Sequence, residues 1–406
     1  ITGSGMPFGL QIMPTCLPAC IHNDDPLNIL DLDNAFNIIK ERLTQDKYIE
    51  SLIEKHLVNN PHKLNYSLVP DTEFNKRNED AIVKKVHQRT ESLTIDDKNK
   101  IVALAEALEK RQEKIDDPEI LPKVTKDDIP LSRNYPKPDI FVSNNIENYF
   151  YKSGTNGLVY HSMLFPCEAL DNDELKIASL FTSSLTDVGL GSDSYEDVQK
   201  YQSSITGGIS ASFAMIPNAG GLEHKLALKI SGKSLEKNAH LMQDLMLRTV
   251  QEANFDERQR IQELLSFISA DNEQSLTQNG HILAMANAAS QLTEVASTND
   301  FTSGVRFISN TGLLSKNIDN NDNLDIYIKN LKSIQSKISL TPKNIFTASS
   351  LDQNEMNLKS FAELNAADVD EQDFISIQDK SIGWITGSQV CFCAEAFPTV
   401  DSSHED

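Results

Sequence analysis

The sequence has 406 residues and a formal net charge of -22, and hydrophobic residues make up 39% of it. Its length corresponds to roughly two to three folded units with a sizeable core. The negative charge argues against binding nucleic acid through phosphate contacts, because such contacts need a basic surface. No apolar run approaches the roughly 18 residues of a membrane span, so we expect a soluble globular protein without a membrane partner.

The charge and the cysteines also bear on the surroundings of the protein. Solubility is the plainest interpretation of the charge, and an acidic surface that attracts basic peptides is the alternative. Five cysteines, an odd number in a long chain, favour a reducing compartment over a disulfide framework. No signal peptide is visible at the start of the sequence. Because the sequence begins with Ile1 and not with methionine, we expect that residue 1 is not the native start.

The first part of the chain is predicted to be mainly helical. Residues 1–30 mix glycine, proline and cysteine without a period, and no element is predicted there. Residues 33–57 carry apolar side chains at helical spacing over two successive segments, which predicts two helices. Residues 64–68 alternate as in a strand, which Pro70 closes.

Residues 75–115 carry two charged segments with helical periodicity, and Thr94 with Asp97 three residues later is a cap for the second. A helical hairpin is the natural geometry for two such segments. Five prolines follow over residues 116–138, and proline both stops helices and lacks the donor for a strand ladder. We therefore predict an extended connector there.

The most regular stretch covers residues 156–252. An apolar segment at 158–165 predicts a strand. Two helices follow, the first ended by Gly189 and the second running from Ser194 to Thr206.

Two more strands are predicted over 209–215 and 225–230, where apolar residues alternate with polar ones as in a sheet with one wet face. A long helix is predicted from Ser234, which serves as its cap. This order of elements predicts an α+β fold, with helices packed on one face of a mainly antiparallel sheet. Further helices are predicted over 256–296 and 322–339.

Two C-terminal segments look like strands. Residues 344–348 form one, and the other is GWITGSQVCFCAEAF at 383–397. Alternation along the second segment would point Cys391 and Cys393 to the same face.

Several of these segments also resemble a known family. The runs GLVYHSMLF at 157–165 and LTDVGLGSDSYEDVQKYQSSITGGIS at 185–210 resemble the third domain of the presequence-protease branch of the pitrilysin and insulin-degrading zinc peptidases. The run NNPHKLNYSLVPD at 59–71 is similar to the strand that ends the first half of those enzymes. The run EALEKRQEKIDDPEILPKVTKDDIP at 106–130 resembles the hairpin that links their halves.

The resemblance implies a division into domains. Residues 1–72 would be the tail of the family's second domain, 73–138 the helical hairpin and proline-rich linker, 139–370 a complete third α+β domain of the pitrilysin type, and 371–406 the first strand of the fourth. The partners it implies are the remaining N- and C-terminal parts of the same protein and unstructured, basic peptides. The implied compartment is bacterial cytoplasm or a mitochondrial or other organelle matrix.

The resembled family binds zinc through an inverted H-x-x-E-H helix, in which two histidines hold the metal and the glutamate activates water. None of the nine histidines stands in such a motif: His22, His56, His62, His87, His161, His224, His240, His281 and His404. The family's R-x-K-G-G-A-Y-type stretch, which stabilises the oxyanion, is also absent. We therefore predict no catalytic, cofactor-binding or metal-binding residue in this sequence, with zinc held elsewhere in the intact enzyme.

Two weaker cysteine signals have plainer interpretations. Cys16 and Cys20 with His22 suggest a metal site, but a second pair is missing, and a structural role is favoured. Cys391 and Cys393 suggest a ligand or redox pair, and buried free thiols are favoured.

The remaining signals concern glycines and one helix face. Gly232, Lys233 and Ser234 imitate the end of a phosphate-binding loop, but Ala227 stands where that motif needs glycine. His240 and Asp244 lie one helical turn apart, where a solvated face is favoured over a metal pair. Four glycines are interpreted as turns with positive φ: Gly207, Gly208, Gly220 and Gly221.

Two hypotheses for function follow. The favoured one is a non-catalytic middle fragment of a zinc metalloendopeptidase that degrades unstructured peptides in an enclosed chamber, to which this chain contributes the hinge and the wall. The alternative is a catalytically inactive peptide-binding or scaffold subunit of the same fold.

Overall fold

The chain divides into two compact units, Ile1–Asn134 and Tyr135–Asp406, in a computed structural model. The residues it describes are 8–115, 117, 123, 125–128, 135–143, 145–217, 224–352, 358, 372, 383–385 and 390–399.

Among its described residues the first unit contains helices and turns but no strand. Its helices are α1 (Phe8–Ile21), α2 (Pro26–Leu30), α3 (Leu32–Leu43), α4 (Tyr48–Ile53), α5 (Phe74–Glu91) and α6 (Ile95–Glu113), and a π-helical turn (Glu54–Val58) continues α4. The predicted helices over 33–57 and 75–115 are confirmed. The Thr94 hydroxyl accepts from Asp97 N at 3.2 Å and an Asp97 carboxylate oxygen accepts from Thr94 N at 3.1 Å, which confirms the predicted cap.

The strand predicted over 64–68 is wrong. The backbone there is irregular, and the exposed fractions of Leu64, Tyr66 and Leu68 are 87%, 79% and 85%. A strand needs a neighbouring strand to satisfy its backbone donors and acceptors, and the described part of this unit offers none.

The predicted packing of a helical hairpin is not observed either. Residues 92–94 join α5 to α6, but the two helices do not pack along their lengths. After Phe74 at its start, the large apolar residues of α5 fall within a single turn, Ile82 to Val86, which is too short a stripe for a helix pair. Most of the connector predicted over 116–138 lies outside the described residues, and residues 126–128 form one 3-10 turn.

The second unit is built on a six-stranded sheet. Its strands are β1 (Asp139–Ser143), β2 (Ile146–Lys152), β3 (Leu158–Cys167), β5 (Ile209–Pro217), β6 (His224–Leu235) and β8 (Asn344–Ser349), while β4 (Gly189–Leu190) and β7 (Ala253–Asn254) form a separate short pair. The order is β1-β2-β8-β3-β6-β5, and neighbours are antiparallel except for the parallel pair β2 and β8. The predicted α+β class and the mainly antiparallel sheet are confirmed.

The helices of this unit are α7 (Asn172–Leu185), α8 (Tyr195–Ile205), α9 (Ala239–Glu252), α10 (Arg258–Gln278), α11 (Gly280–Ala289), α12 (Glu294–Ser303), α13 (Val305–Asn317) and α14 (Asn321–Lys337). The helices predicted over 194–206, 256–296 and 322–339 are confirmed. The helix predicted to end at Gly189 is also present, but it ends at Leu185, and Gly189 lies in β4. The strands β1 and β2 have no counterpart among the predicted elements.

The core lies between this helical layer and one face of the sheet. Alternate residues of β3, among them Met163 and Phe165, are fully buried, as are Leu228 and Ile230 opposite them on β6. Phe181 of α7 belongs to the same buried cluster, and its ring centroid lies 6.0 Å from that of Phe213 and 5.5 Å from that of Phe255. Residues opposite each other across a strand pair share a face, so this register fixes which side chains point away from the helices.

Two predictions in this unit are corrected. Ser234 does not cap a helix: it pairs with Val159 inside β6, and α9 begins only at Ala239, after a 3-10 turn. Pairing with β3 carries the strand one residue beyond the predicted cap, because Leu235 still faces Leu158.

The strand predicted over 383–397 is also wrong over its described residues. Residues 391–397 are irregular, and no described strand pairs with them. Cys391 and Cys393 are exposed free thiols there, not buried ones. Residues 386–389 of that prediction lie outside the described residues. Every helix in the described part of the chain is too short or too polar to cross a bilayer.

Candidate functional site

In the part of the chain that the structure describes, the helices of the second unit pack on one face of its sheet only, and we call the opposite face the open face. It consists of every second residue of the strands, from 140 to 142, 147 to 151, 160 to 164, 210 to 216, 225 to 233 and 344 to 348. Most of its side chains are half-buried, as expected for a sheet surface, while Ile140 and Val142 are 61% and 66% exposed. The open face is the largest continuous candidate surface that the strand pairing defines.

One half of the open face is aromatic and apolar. Tyr149 and Phe346 stack with 4.8 Å between their ring centroids, because the parallel pairing of β2 and β8 sets them opposite each other. The Tyr149 hydroxyl donates to a Glu147 carboxylate oxygen at 2.7 Å, and the Asn344 side-chain amide donates to the same oxygen at 3.0 Å. The hydrogen bond to Glu147 raises the pKa of Tyr149 above its usual value, so that phenol stays neutral. Aromatic side chains with a satisfied polar end suit contact with a peptide.

The other half of the open face carries a row of lysines on β6. Lys225, Lys229 and Lys233 stand at every fourth residue, and Ser212 of β5 lies directly opposite Lys229. The Ser162 and Ser231 hydroxyls hydrogen-bond at 2.9 Å between them. The row is formed because β6 continues through Gly232 and Lys233, where the sequence imitates a phosphate-binding loop. With no loop there, the phosphate-binding alternative is excluded.

The edge of the sheet beside the lysines is β5. Residues Ile209–Ile216 carry no charged side chain, and no described strand pairs with the far side of β5. The unpaired donors and acceptors of such an edge are able to add an extended chain. Gly208 opens β5 with φ of 111°, which confirms the predicted positive φ there, whereas Gly207 has no positive φ. Gly220 and Gly221 lie outside the described residues.

A second candidate is a groove of about 530 Å³ in the helical layer. It lies between α7, α10, α11, α12 and α13, with Phe267, Ile282 and Phe307 among its apolar walls and Asp271 and Asn272 among its polar ones. The side-chain nitrogen of Asn272 is buried without a hydrogen-bond partner. Most hydroxyls at this groove already donate hydrogen bonds to nearby backbone carbonyls, as Ser179 does to Thr302 O at 2.5 Å. Few polar groups are therefore left at the groove to bind a ligand.

Two buried polar groups are structural. His161 is 1% exposed, and its Nδ1 lies 2.9 Å from Thr347 Oγ1. Burial lowers the pKa of His161 to about 4, which keeps the ring neutral. Burial also raises the pKa of the Cys167 thiol to about 12, so that thiol is unreactive.

A buried ion pair joins α12 and α13. Arg306 Nε lies 3.1 Å from an Asp300 carboxylate oxygen, which also accepts from the Asn287 amide at 3.0 Å. The other Asp300 oxygen accepts from Val305 N at 3.1 Å and so caps α13. Glycine is needed at 304, because a Cβ there would stand 2.1 Å from Asp300 Oδ1. Burial raises the pKa of Asp300 above its usual value, although the hydrogen bond from Asn287 and the charge of Arg306 act in the opposite direction.

The sequence-predicted metal candidates are not brought together. Cys16 is half-buried with its thiol 3.9 Å from Pro26 O, while Cys20 and His22 are exposed. His240 and Asp244 lie one turn apart on α9, and they form no group of three metal ligands in the part of the chain that the structure describes. Among the described residues no three histidine, cysteine, aspartate or glutamate side chains form a metal cluster, so these residues do not fit a zinc ion.

Comparison with known proteins agrees with the resemblance in the sequence. A family model described as "Peptidase M16C associated" matches residues 68–313. The chain belongs to this family. The presequence protease of Yarrowia lipolytica, which is mitochondrial, is 25% identical over 419 residues, covering 98% of this chain and 41% of that protein. The mitochondrial presequence protease of Mus musculus is 25% identical over 301 residues, covering 73% of this chain and 29% of that protein.

The chain thus spans about two fifths of the Yarrowia relative's length. Among solved structures, a conserved protein from Enterococcus faecalis V583 matches with a TM-score of 0.36 and 11% identity, over 58% of this chain and 53% of that one. That match is too weak to bear on the fold. The family match takes in most of the sheet, from β1 through β6, and therefore most of the open face.

Proposed function

We propose that this chain is the non-catalytic middle part of a zinc metalloendopeptidase that degrades unstructured peptides. The second unit supplies a wall of the substrate chamber through the open face, and the first unit supplies the hinge. The zinc ion and the groups that act on the scissile bond belong to other parts of the intact enzyme. Like its relatives, the intact enzyme would work in an organelle matrix.

One observation carries the proposal. A chain of a peptidase-associated family has a buried core on one side of its sheet, while no described helix of this unit covers the other side, which carries aromatic rings, hydroxyls and amines. Unfolded peptides offer mixed side chains and a continuous backbone, and a broad surface of this composition contacts both without selecting one sequence. A chamber wall needs this kind of low selectivity.

The first unit supports the role of a hinge that depends on other parts of the protein. Only Ala19 is a buried apolar residue there among those described, while Phe36, Leu64, Ile101 and Leu104 are 60%, 87%, 53% and 63% exposed. Exposed apolar side chains in such number need a covering partner. We assign that partner to the N- and C-terminal parts of the same protein.

Peptidase assays test the proposal. A long unstructured peptide is incubated with this chain and with the product of the whole gene, each with and without a metal chelator. We expect chelator-sensitive cleavage by the whole protein, and peptide binding without cleavage by this chain, even with zinc added. Zinc-dependent turnover by this chain alone contradicts the proposal. Binding without cleavage by the whole protein supports the inactive peptide-binding subunit instead.

A further inference from the structure

We propose that the lysine row of the open face, Lys225, Lys229 and Lys233, is a binding site for acidic segments of extended peptides. This inference rests on the proposed function and adds to it the charge of the segment that this wall holds. The net charge of the chain indicates the opposite preference, because a chain with a net charge of -22 is expected to attract basic peptides.

The three lysines have no ion pair among the described residues, whereas several lysines of the helical layer do. Lys176, Lys200 and Lys332 of the helical layer each lie within 4 Å of a carboxylate, at 2.8, 3.8 and 2.5 Å. No such pair forms at Lys225, Lys229 or Lys233 among the described residues, although the chain has 59 acidic and 37 basic residues. A shortage of carboxylates therefore does not explain the unpaired row.

The open face is locally basic. Within the paired strands its charged side chains are the three lysines and Glu147. Glu147 lies on β2, with β8 and β3 between it and β6, and it already accepts bonds from Tyr149 and Asn344. No carboxylate of the paired strands therefore lies beside the row to neutralise it. The row is therefore poised for an anionic partner.

The spacing matches an extended chain. Residues on a strand rise about 3.3 Å each, so neighbouring lysines of the row stand roughly 13 Å apart. An extended peptide that runs along β6 repeats its side chains with the same rise and presents every second one to the sheet. Acidic residues at every fourth position then meet successive lysines.

The surroundings favour a peptide over other anions. Leu164 lies opposite Lys229 and Tyr160 opposite Lys233, so apolar side chains flank the row on the β3 side. On the other side Ser210 and Ser212 of β5 offer hydroxyls. The methylenes of Lys233 lie against Gly207, where an added Cβ would stand 3.0 Å from Lys233 Cε. Nucleic acid is disfavoured because the rest of the chain is strongly acidic.

Peptide binding to the whole 406-residue chain tests the site. The probe is a labelled, unstructured peptide of serine and threonine with glutamate at every fourth position, and its two matched versions carry glutamine or lysine there. Fluorescence anisotropy gives Kd for each. We expect the glutamate peptide to bind most tightly, and its binding to weaken as salt rises from about 0.05 M to about 0.5 M, since screening acts over a few ångströms at high salt.

The test variant replaces Lys225, Lys229 and Lys233 with threonine, which suits a strand. The matched control replaces the helical lysines Lys200, Lys316 and Lys329 with glutamine, so both variants lose the same charge. With each exposed pair contributing about 0.5 kcal/mol, we expect Kd for the glutamate peptide to rise about ten-fold in the test variant and less than about two-fold in the control. Circular dichroism checks that both variants stay folded.

The outcomes separate this inference from the proposed function. If the three peptides bind alike and the threonine variant changes none of them, the open face binds peptides but the lysine row is not an acidic site. If the lysine peptide binds best and the threonine variant binds it better still, the inference is overturned in the same way. If no peptide of any charge binds, both the inference and the proposed wall function fail.

Discussion

The two units of this chain contain similar helices but bury them very differently. Both have amphipathic helices with a capping box, Thr94 with Asp97 on α6 and Asp171 with Glu174 on α7. In the second unit the helices close over a sheet around buried side chains such as Phe181 and Leu245, whereas Ala19 is the single buried apolar residue described in the first. The difference shows that a helical pattern predicts the helix but not the surface that will cover it.

Removing a buried ring should give the largest contrast between the units. Phe181→Ala removes a fully buried side chain between Phe213 and Phe255, and we expect a loss of about 3–5 kcal/mol in the free energy of unfolding of the second unit. The matched change Phe36→Ala, at a residue that is 60% exposed, should cost about 0.5 kcal/mol or less. Urea unfolding followed by circular dichroism measures both. Equal losses would mean that the first unit has a core of its own.

The second prediction compares the buried ion pair of Asp300 and Arg306 with an exposed ion pair. Arg306→Met leaves the Asp300 carboxylate buried without its counter-charge, and we expect a loss of about 3–5 kcal/mol. The control Arg258→Met breaks an exposed pair with Asp325 and should cost about 1 kcal/mol or less. The double variant Asp300→Asn with Arg306→Met should recover part of the loss. No recovery in the urea midpoint would show that packing, not charge, explains the effect.

Acid should destabilise the second unit through His161. The folded pKa of about 4 lies below the unfolded value of about 6.5, so the unfolded state binds more protons between these pH values. The stabilisation is complete above about pH 6.5 and is lost as pH falls towards 4, by roughly 3 kcal/mol at most.

The variant His161→Gln cannot titrate and should show a flatter dependence of stability on pH than the wild type over that window. The control is His87→Gln, at a side chain that is 72% exposed, which should keep the wild-type dependence. Thermal melts at a series of pH values measure this difference. Parallel curves for wild type and His161→Gln would rule out the neutral buried histidine.

The smallest expected effect separates the two capping boxes. Asp171→Ala removes a carboxylate that accepts from Asp173 N and Glu174 N, both at 2.9 Å, and should cost about 1 kcal/mol in the unfolding of the second unit. Thr94→Ala removes the equivalent cap of α6 and should leave that transition unchanged, while amide exchange at the start of α6 becomes faster. A shift of the main transition by Thr94→Ala would show that the units unfold together.

Sequence periodicity was sufficient for most helices and for strands β3, β5, β6 and β8. It failed where tertiary pairing decides the outcome. Residues 64–68 alternate like a strand but pair with no strand that the structure describes, and Ser234 looks like a cap but is held in β6 by pairing with Val159. The stacking of Tyr149 on Phe346 depends on a parallel pair between strands almost two hundred residues apart, which no local pattern reveals.

The candidate surface was only partly predictable. Alternation over 225–230 already indicated a wet face with lysines, but Lys233 was hidden by its likeness to a phosphate-binding loop. The pair of Asp300 and Arg306 could not be predicted, because it depends on the tight corner at Gly304 between two helices. The family resemblance, by contrast, was readable from the runs at 157–165 and 185–210, since both lie within the matched region.

Hydrogen–deuterium exchange tests the central claim most directly, by comparing this chain with the product of the whole gene. We predict that amides of α3, α5 and α6 exchange fast in this chain and are protected in the whole protein, where other parts cover their apolar side chains. Amides of β3 and β6 should be protected in both. Strong protection of α3, α5 and α6 in this chain alone, unchanged in the whole protein, would contradict the account of a hinge that depends on the rest of the enzyme.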